Sequence, residues 1–249
     1  MKNLILYFFL ILLFANCATT KRYYFHSGID AVDNVRKDSA GWLIVQRDSI
    51  DLIYSFSGEN ITMEITVDNK SSSPLYIDWD KSWIKVNDQN ARSYNNLTGY
   101  TNFNAVSEIM PNSYDSYNLL KSAHFDFKQI SRKQLTTQKV YMADKKLKTK
   151  AIRFEKENSP LSLTSCIVVN INGADRELTN SFYLSTFTNG DKKAYKSFLA
   201  EAYNRNDGFC STYVVDKKEG GRIANGVFGT LLKLTEFLIM YRLEEEGYY

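Results

Sequence analysis

Ile61-Thr62-Met63-Glu64-Ile65-Thr66-Val67 is the stretch whose reading decides the fold. Apolar residues at 61, 63, 65 and 67 alternate strictly with Thr62, Glu64 and Thr66. Side chains of a strand point alternately to its two faces, so this period of two predicts a half-buried strand. Working upstream, Ser57-Gly58-Glu59-Asn60 reads as a turn, and Ile50, Leu52, Tyr54 and Phe56 alternate with Asp51 and Ser55 before it. Trp42 to Gln46 is a further apolar segment. Downstream, Asp68 to Pro74 is a polar turn, and Leu75, Ile77 and Trp79 alternate again. Trp83 to Val86 follows and is closed by Asn87-Asp88-Gln89-Asn90. Short strands separated by turns at this spacing predict a mainly β chain, an antiparallel sandwich or barrel.

The pattern weakens beyond residue 90. Ala91 to Asn118 is rich in Asn, Tyr and Ser and reads as long loops with one strand, Pro111 marking a turn. Leu119 to Ile152 has no clean period. Strands resume at Ile152–Phe154, Leu161–Ile171, Phe182–Phe187 and Phe209–Val215. Ala194, Tyr195, Phe198, Leu199 and Ala202 fall on one helical face just after Asn189-Gly190-Asp191, which predicts a short helix. Ile223, Val227, Leu231, Leu234, Leu238 and Tyr241 also recur at helical spacing and predict a C-terminal α-helix from Ile223 to Glu245. That helix would pack on the sandwich, dock on a membrane interface or partner, or span the bilayer. Lys233, Glu236 and Arg242 within it count against the span, where charges are costly.

Composition bounds the rest. Apolar residues make up 44% of the chain and aromatics 14%, enough for one large core and a surplus that favours strands. A net charge of +3 is too mild for a nucleic-acid partner. At the start, Lys2 precedes an unbroken apolar run from Leu4 to Phe14, then Ala15-Asn16-Cys17. A positive start, an apolar core too short for a comfortable span and a small-residue exit make a secretory signal. With cysteine at the exit it resembles a bacterial lipoprotein signal, which implies a diacylated, palmitate-bearing Cys17 as the mature N-terminus. The chain then divides into a signal peptide (1–16), a lipidated tether (17–40), a β-sandwich domain (41–216) and the C-terminal helix (217–249). Cys166 and Cys210 remain, an even pair in a compartment that permits disulfides. They are either bridged or two separate buried thiols.

Ile65-Thr66-Val67-Asp68-Asn69-Lys70-Ser71, followed by Pro74-Leu75-Tyr76-Ile77-Asp78-Trp79 and Ser82, resembles a group of uncharacterised envelope lipoproteins of Bacteroidota. Glu157-Asn158-Ser159-Pro160-Leu161 and Asn180-Ser181-Phe182-Tyr183 are similar to that group as well. The likeness covers about residues 42 to 187 and implies an antiparallel immunoglobulin-like β-sandwich, with no activity attached. Asp38-Ser39-Ala40 and Asp48-Ser49-Ile50 match the O-glycosylation pattern used on exported proteins of such organisms, making Ser39 and Ser49 candidate acceptors. Ala18 to Arg22 lacks the acidic run associated with surface export there, so the expected location is the cell envelope, facing the periplasm.

Few residues bear reactive chemistry. His26 falls in the expected tether and His124 beside a loop, so neither a zinc site nor a Ser-His-Asp set can be assembled from the pattern. No phosphate or dinucleotide glycine motif occurs, and no cofactor is expected. Asp78 and Asp80 share one face of a strand, but two side chains fall short of the six to eight oxygens calcium takes. The basic run Lys128 to Arg153 carries nine cations against one acid, Asp144, which suits either a solvated face or the anionic headgroups of a membrane. Catalytic and metal sites are therefore expected to be absent. The expected function is a non-enzymatic membrane-anchored binding module for a protein or glycan, with exposed rings between Tyr94 and Tyr117 as its surface. The alternative is an accessory subunit of a membrane complex, docked through the C-terminal helix. A third reading, a hydrolase around His124, Asp126 and Asp115, has the least support.

Overall fold

The structure is a computed structural model of the chain, and it describes residues 21–32, 35–59, 62–87, 89–96, 104–120, 130 and 132–215. Tyr24–Thr212 form one compact unit. The other unit is 1–23 with 213–249, of which residues 21–23 begin the first strand and 213–215 end the last. The expected leader, Cys17 and the C-terminal helix lie outside the described residues.

Two sheets make up the compact unit, both built from antiparallel pairs. The smaller runs β2 (Arg36–Lys37), β3 (Leu43–Gln46), β4 (Ile50–Ser57), β5 (Thr62–Asn69) and β9 (Ser113–Leu120). The deciding stretch is β5. Met63, Ile65 and Val67 are fully buried there, while Glu64 and Thr66 are half-exposed. In the larger sheet the spine is β10 (Thr136–Met142), β11 (Lys145–Arg153), β13 (Ala174–Gly190), β12 (Ser162–Ile171), β6 (Leu75–Val86) and β7 (Arg92–Ser93). β8 (Val106–Ile109) adds to β6, while β1 (Lys21–Ala31) pairs with β13 and with β14 (Gly208–Val215). The chain changes sheet between β5 and β6 and returns between β8 and β9, so that β9 lies beside β5.

The two sheets meet through large side chains. Tyr54 and Phe56 of β4 contact the ring of Phe182 on β13 at 4.7 and 5.2 Å between centroids. Trp79 of β6 packs edge-on against Tyr117 of β9 at 4.7 Å. A buried polar network crosses the same core. The Tyr54 hydroxyl shares a hydrogen bond with Ser165 Oγ at 3.2 Å and accepts one from Asn180 Nδ2 at 3.0 Å. Tyr94 Oη donates to the same Ser165 oxygen at 2.8 Å. Burial pushes the Tyr54 hydroxyl up to about 12, so it stays a neutral donor and acceptor.

Three elements differ from the sequence expectation. Lys21–Ala31, expected within the tether, is a strand. Phe25 and Ile29 are buried on it, and so are His26 and Ser27, so both faces are covered and no alternation appears. Leu75–Trp79 and Trp83–Val86, expected as two strands, are the single β6. Its register with β12 shifts between Cys166 and Val168, and Ser82 patches the irregularity. The Ser82 hydroxyl donates to the Asp78 carbonyl and accepts from Val168 N at 2.9 Å. The unpatterned basic stretch forms β10 and β11, a hairpin turning at Ala143 and Asp144, both at positive φ.

The short helix, α1, spans Lys192–Asn204. Asp191 caps it, its carboxylate accepting from Lys193 N and Ala194 N at 2.9 Å each. Ala194, Phe198 and Ala202 pack with Met142 and Cys210, so the helix covers one face of the β10–β11 hairpin. Glu201 Oε2 also accepts from Ala143 N and ties the hairpin turn to the helix.

The motif that carries the resemblance has a structural task. Asn69 is fully buried at the end of β5. Its Nδ2 donates to the carbonyls of Ser73 and Ile109 at 2.9 and 3.0 Å, and its Oδ1 accepts from Ser71 N and Ser71 Oγ. One side chain therefore holds the turn before Pro74 and the end of β8 together.

Candidate functional site

A groove of about 740 Å³ opens over the C-terminal half of β13. Tyr183, Ser185, Thr186 and Thr188 line it from that strand, and His26, Gly28 and Asp30 from β1. β10 and β11 contribute Gln138 to Met142 and Ala151 to Arg153, and the segment after α1 contributes Arg205 and Asp207. Within the groove β13 bulges against β1, with Ser185 as the extra residue. Register shifts between Gly28 and Ile29, and Ser185 Oγ donates to the Gly28 carbonyl at 3.2 Å. A Cβ on Gly28 would stand 2.4 Å from Thr186 Oγ1, so only glycine lets the two strands approach this closely without displacing that hydroxyl.

An ion cluster closes one end. Arg205 grips Asp207 with two parallel bonds, Nε to Oδ1 at 2.8 Å and Nη2 to Oδ2 at 2.9 Å. Lys37 Nζ reaches Asp207 Oδ2 at 2.8 Å and Asp30 Oδ1 at 3.7 Å. Burial by itself would raise the Asp207 carboxyl, but Arg205 and Lys37 outweigh it and hold the group below the usual carboxylate range. Gly41, at φ +86°, sits against this carboxylate, where a Cβ would lie 2.6 Å from Oδ1.

His26 forms part of the inner wall. It is 7% exposed, and neither ring nitrogen has a hydrogen-bond partner among the described residues. Gly208 makes room for the ring, since a Cβ there would lie 3.0 Å from His26 Cε1, and Phe198 lies 6.1 Å away between centroids. Burial pulls its pKa from 6.5 down to about 4, with Asp207 opposing and Arg205 reinforcing the shift. The imidazole is therefore neutral at ordinary pH.

The groove is polar and carries charges of both signs. Lys37, Arg153 and Arg205 face Asp30, Glu155, Glu201 and Asp207 around it, three cations against four anions, while Lys139 and Tyr141 belong to its β10 edge and stand on that strand's other face. Hydroxyls come from Tyr183, Ser185, Thr186 and Thr188, with Phe154 and Tyr183 supplying ring surface. Such a lining offers donors and acceptors in quantity with little net charge to attract an ion.

The residues singled out in the sequence do not gather here. Cys166 and Cys210 are free and buried, so the disulfide expectation gives way to two separate thiols. Cys166 lies on β12 opposite Trp83, and Cys210 sits in the cluster under α1, where burial pushes its thiol up to about 11. Ser39 is exposed in the turn before β3, and Ser49 is half-buried at the start of β4. Asp78 pairs with Lys81 at 3.2 Å and Asp80 accepts from Asn95, and among the described residues no three ligating side chains gather for a metal. His124 and Asp126 lie outside the described residues, while Asp115 is exposed on β9. Of the rings expected to form an aromatic surface, Tyr94 and Tyr117 belong to the core around Trp79, while among the described residues of that segment Tyr114 is 72% exposed. The sequence reading placed His26 in the tether and did not single out the Arg205–Asp207 pair, because these lie in two distant segments that only the fold brings together.

No family model, no curated protein and no solved structure matches this chain. Among the described residues no helix is long and apolar enough to cross a membrane.

Proposed function

We propose that the protein is an envelope lipoprotein, anchored through Cys17 and facing the periplasm, whose immunoglobulin-like domain binds a neutral glycan in the groove over β13. The observation that carries the ligand class is the lining: hydroxyls, an amide and ring surface around 740 Å³, with three cations set against four anions. Sugars present many hydroxyls and no charge, and a nearly balanced polar lining matches both features. A ligand of net charge would meet groups of its own sign as well as of the opposite one. The neutral His26 adds no cation to the wall. The immunoglobulin-like assignment draws on the two antiparallel sheets with facing cores and the sheet changes on either side of β6 and β8. Anchoring and location rest on the leader pattern and on the Bacteroidota resemblance. The accessory-subunit alternative depends on Ile223 to Glu245, outside the described residues, and the groove supports the binding module.

A glycan array probed with the full chain carrying Cys17→Ser, followed by calorimetry on the best binder, tests the reading. Arg153→Ala and Tyr183→Phe each remove one polar group from the groove. Each is expected to weaken binding about five- to tenfold, the loss of one hydrogen bond's net contribution. Binding confined to charged ligands, or insensitive to both variants, refutes the groove. A reproducible protein captured in the envelope, with no saccharide bound, would transfer the function to the accessory-subunit reading.

A further inference from the structure

The β10–β11 hairpin has a second face, turned away from α1. Cross-strand register pairs Thr137 with Lys150, Lys139 with Lys148 and Tyr141 with Lys146. Directly opposed residues share a face, as do residues two apart on one strand. Lys139, Lys146, Lys148 and Lys150 therefore stand together on one exposed face around Tyr141, itself 69% exposed. The other face carries Val140, Met142 and Leu147 against α1. Among the described residues none of the four lysines forms an ion pair, and Lys146 Nζ instead lies 5.5 Å from the Tyr141 ring centre. Lys139 directly opposite Lys148 is a like-charge pair, which costs strand pairing stability. An exposed aromatic ring surrounded by unpaired lysines has the make-up of a membrane-interface patch, the ring seated at headgroup level and the long lysine stems lying along it.

The chain's entry into the domain lies at the same end of the sheet. Tyr24, the first residue of the compact unit, pairs with Gly190, and Lys150 pairs with Asn189. Tyr24 lies seven positions after Cys17, at most about 25 Å of extended chain. A lipid on Cys17 would keep this end of the sheet within that reach of the bilayer.

We propose that this face of the β10–β11 hairpin docks on an anionic phospholipid surface, through Lys139, Lys146, Lys148 and Lys150 with Tyr141 at the headgroup level. Its placement near the bilayer rests on the Cys17 anchor proposed above. The lysine face itself does not, so the two readings fail separately.

Vesicle co-sedimentation of the full chain carrying Cys17→Ser, on phosphatidylglycerol-containing and on pure phosphatidylcholine vesicles, tests the docking. The leader contributes to both vesicle types, so the difference between them is the readout. Each lysine near an anionic surface contributes about five-fold in partition, so Lys139→Gln, Lys146→Gln, Lys148→Gln and Lys150→Gln together are expected to lower anionic-vesicle binding on the order of several hundred-fold. A control of equal charge, Lys85→Gln, Arg92→Gln, Arg176→Gln and Lys193→Gln, changes exposed residues elsewhere and is expected to retain most of the binding. For the unaltered chain, raising salt from 50 mM to 500 mM is expected to abolish the preference, a reading that needs no variant to fold. Equal binding to both vesicle types, indifference to salt, or equal losses in the two quadruple variants overturns the proposal. So does binding to a soluble sulfated polysaccharide with none to anionic vesicles. If mass spectrometry finds Cys17 unmodified while the vesicle preference persists, the anchor reading falls and the docking face stands.

Discussion

Lowering the pH from 7 to about 5 destabilises this domain through one buried ring. Burial holds the His26 imidazole at a pKa of about 4 in the folded chain, against 6.5 once it is exposed. The unfolded chain therefore takes up a proton near pH 6.5, and the folded chain takes it up only near pH 4. Between those values the unfolded state binds more protons, so stability is complete above 6.5 and falls as pH approaches 4. At about 1.4 kcal/mol per pKa unit the full loss is about 3 kcal/mol, of which about 2 kcal/mol has gone by pH 5. That is a large share of the roughly 5–15 kcal/mol that holds an ordinary domain folded. Asp207 does not contribute in this window, because Arg205 and Lys37 hold its carboxyl below the usual range and its protonation costs stability only at lower pH. Urea unfolding followed by tryptophan fluorescence at pH 7, 6 and 5 reads the effect as a falling midpoint with an unchanged slope. His26→Leu removes the titrating group and is expected to flatten the dependence whatever its absolute stability. The reasoning fails if His26→Leu loses stability with pH as steeply as the unaltered chain. It fails equally if the imidazole resonances titrate near 6.5.

The packing sets three further outcomes. Asn69→Ala strips the turn before Pro74 of a fully buried amide that bonds two carbonyls and two Ser71 donors, and is expected to cost about 2–3 kcal/mol in urea unfolding. Tyr54→Phe leaves Asn180 Nδ2 without its acceptor in the core between the sheets, a loss of about 1–3 kcal/mol, with Ser165 still bonded to Tyr94. Gly190→Ala would place a Cβ 2.6 Å from the Ala194 methyl and 2.7 Å from Phe198 Cζ, so the melting temperature should fall by an amount equivalent to about 1–3 kcal/mol. Adding Phe198→Leu should then cost less in that background than in the unaltered chain, because the two changes share one contact.

The strand that reads most plainly in the sequence has one wet face. β5 alternates because the smaller sheet buries one of its sides, and the short helix is visible because α1 covers the hairpin with one stripe. β4 shows the same apolar period although Asp51 and Ser55 on its other face are buried too. β1 is invisible for the opposite reason: its faces lie under polar and apolar neighbours alike, and His26, Ser27 and Asp30 interrupt any hydrophobic run. β10 and β11 are hidden by their lysines, which satisfy the exposed face while buried Thr149 breaks the apolar one. The groove was less legible still. Lys37 pairs with Asp207 across the chain, and no local spacing records a pair that only folding creates. The Asn-Lys-Ser and Pro motif was visible, but its residues fasten a turn and take no part in the groove.

Among the described residues β1 is the first strand, and its partners, β13 and β14, are the last two. A ribosome delivers them in the opposite order of need. Phe25 and Ile29 leave the tunnel long before the backbone that will cover their edge has been made, and the hairpins of both sheets can pair in the meantime. Closing so long a loop carries an entropy cost that local pairings escape, so the final step of folding is slow compared with its parts. A chain shortened before β13 therefore keeps the hairpins made earlier, β3–β4, β4–β5 and β10–β11, and leaves β1 without its edge partner. Of the described strands, the first to be synthesised is the last to be housed.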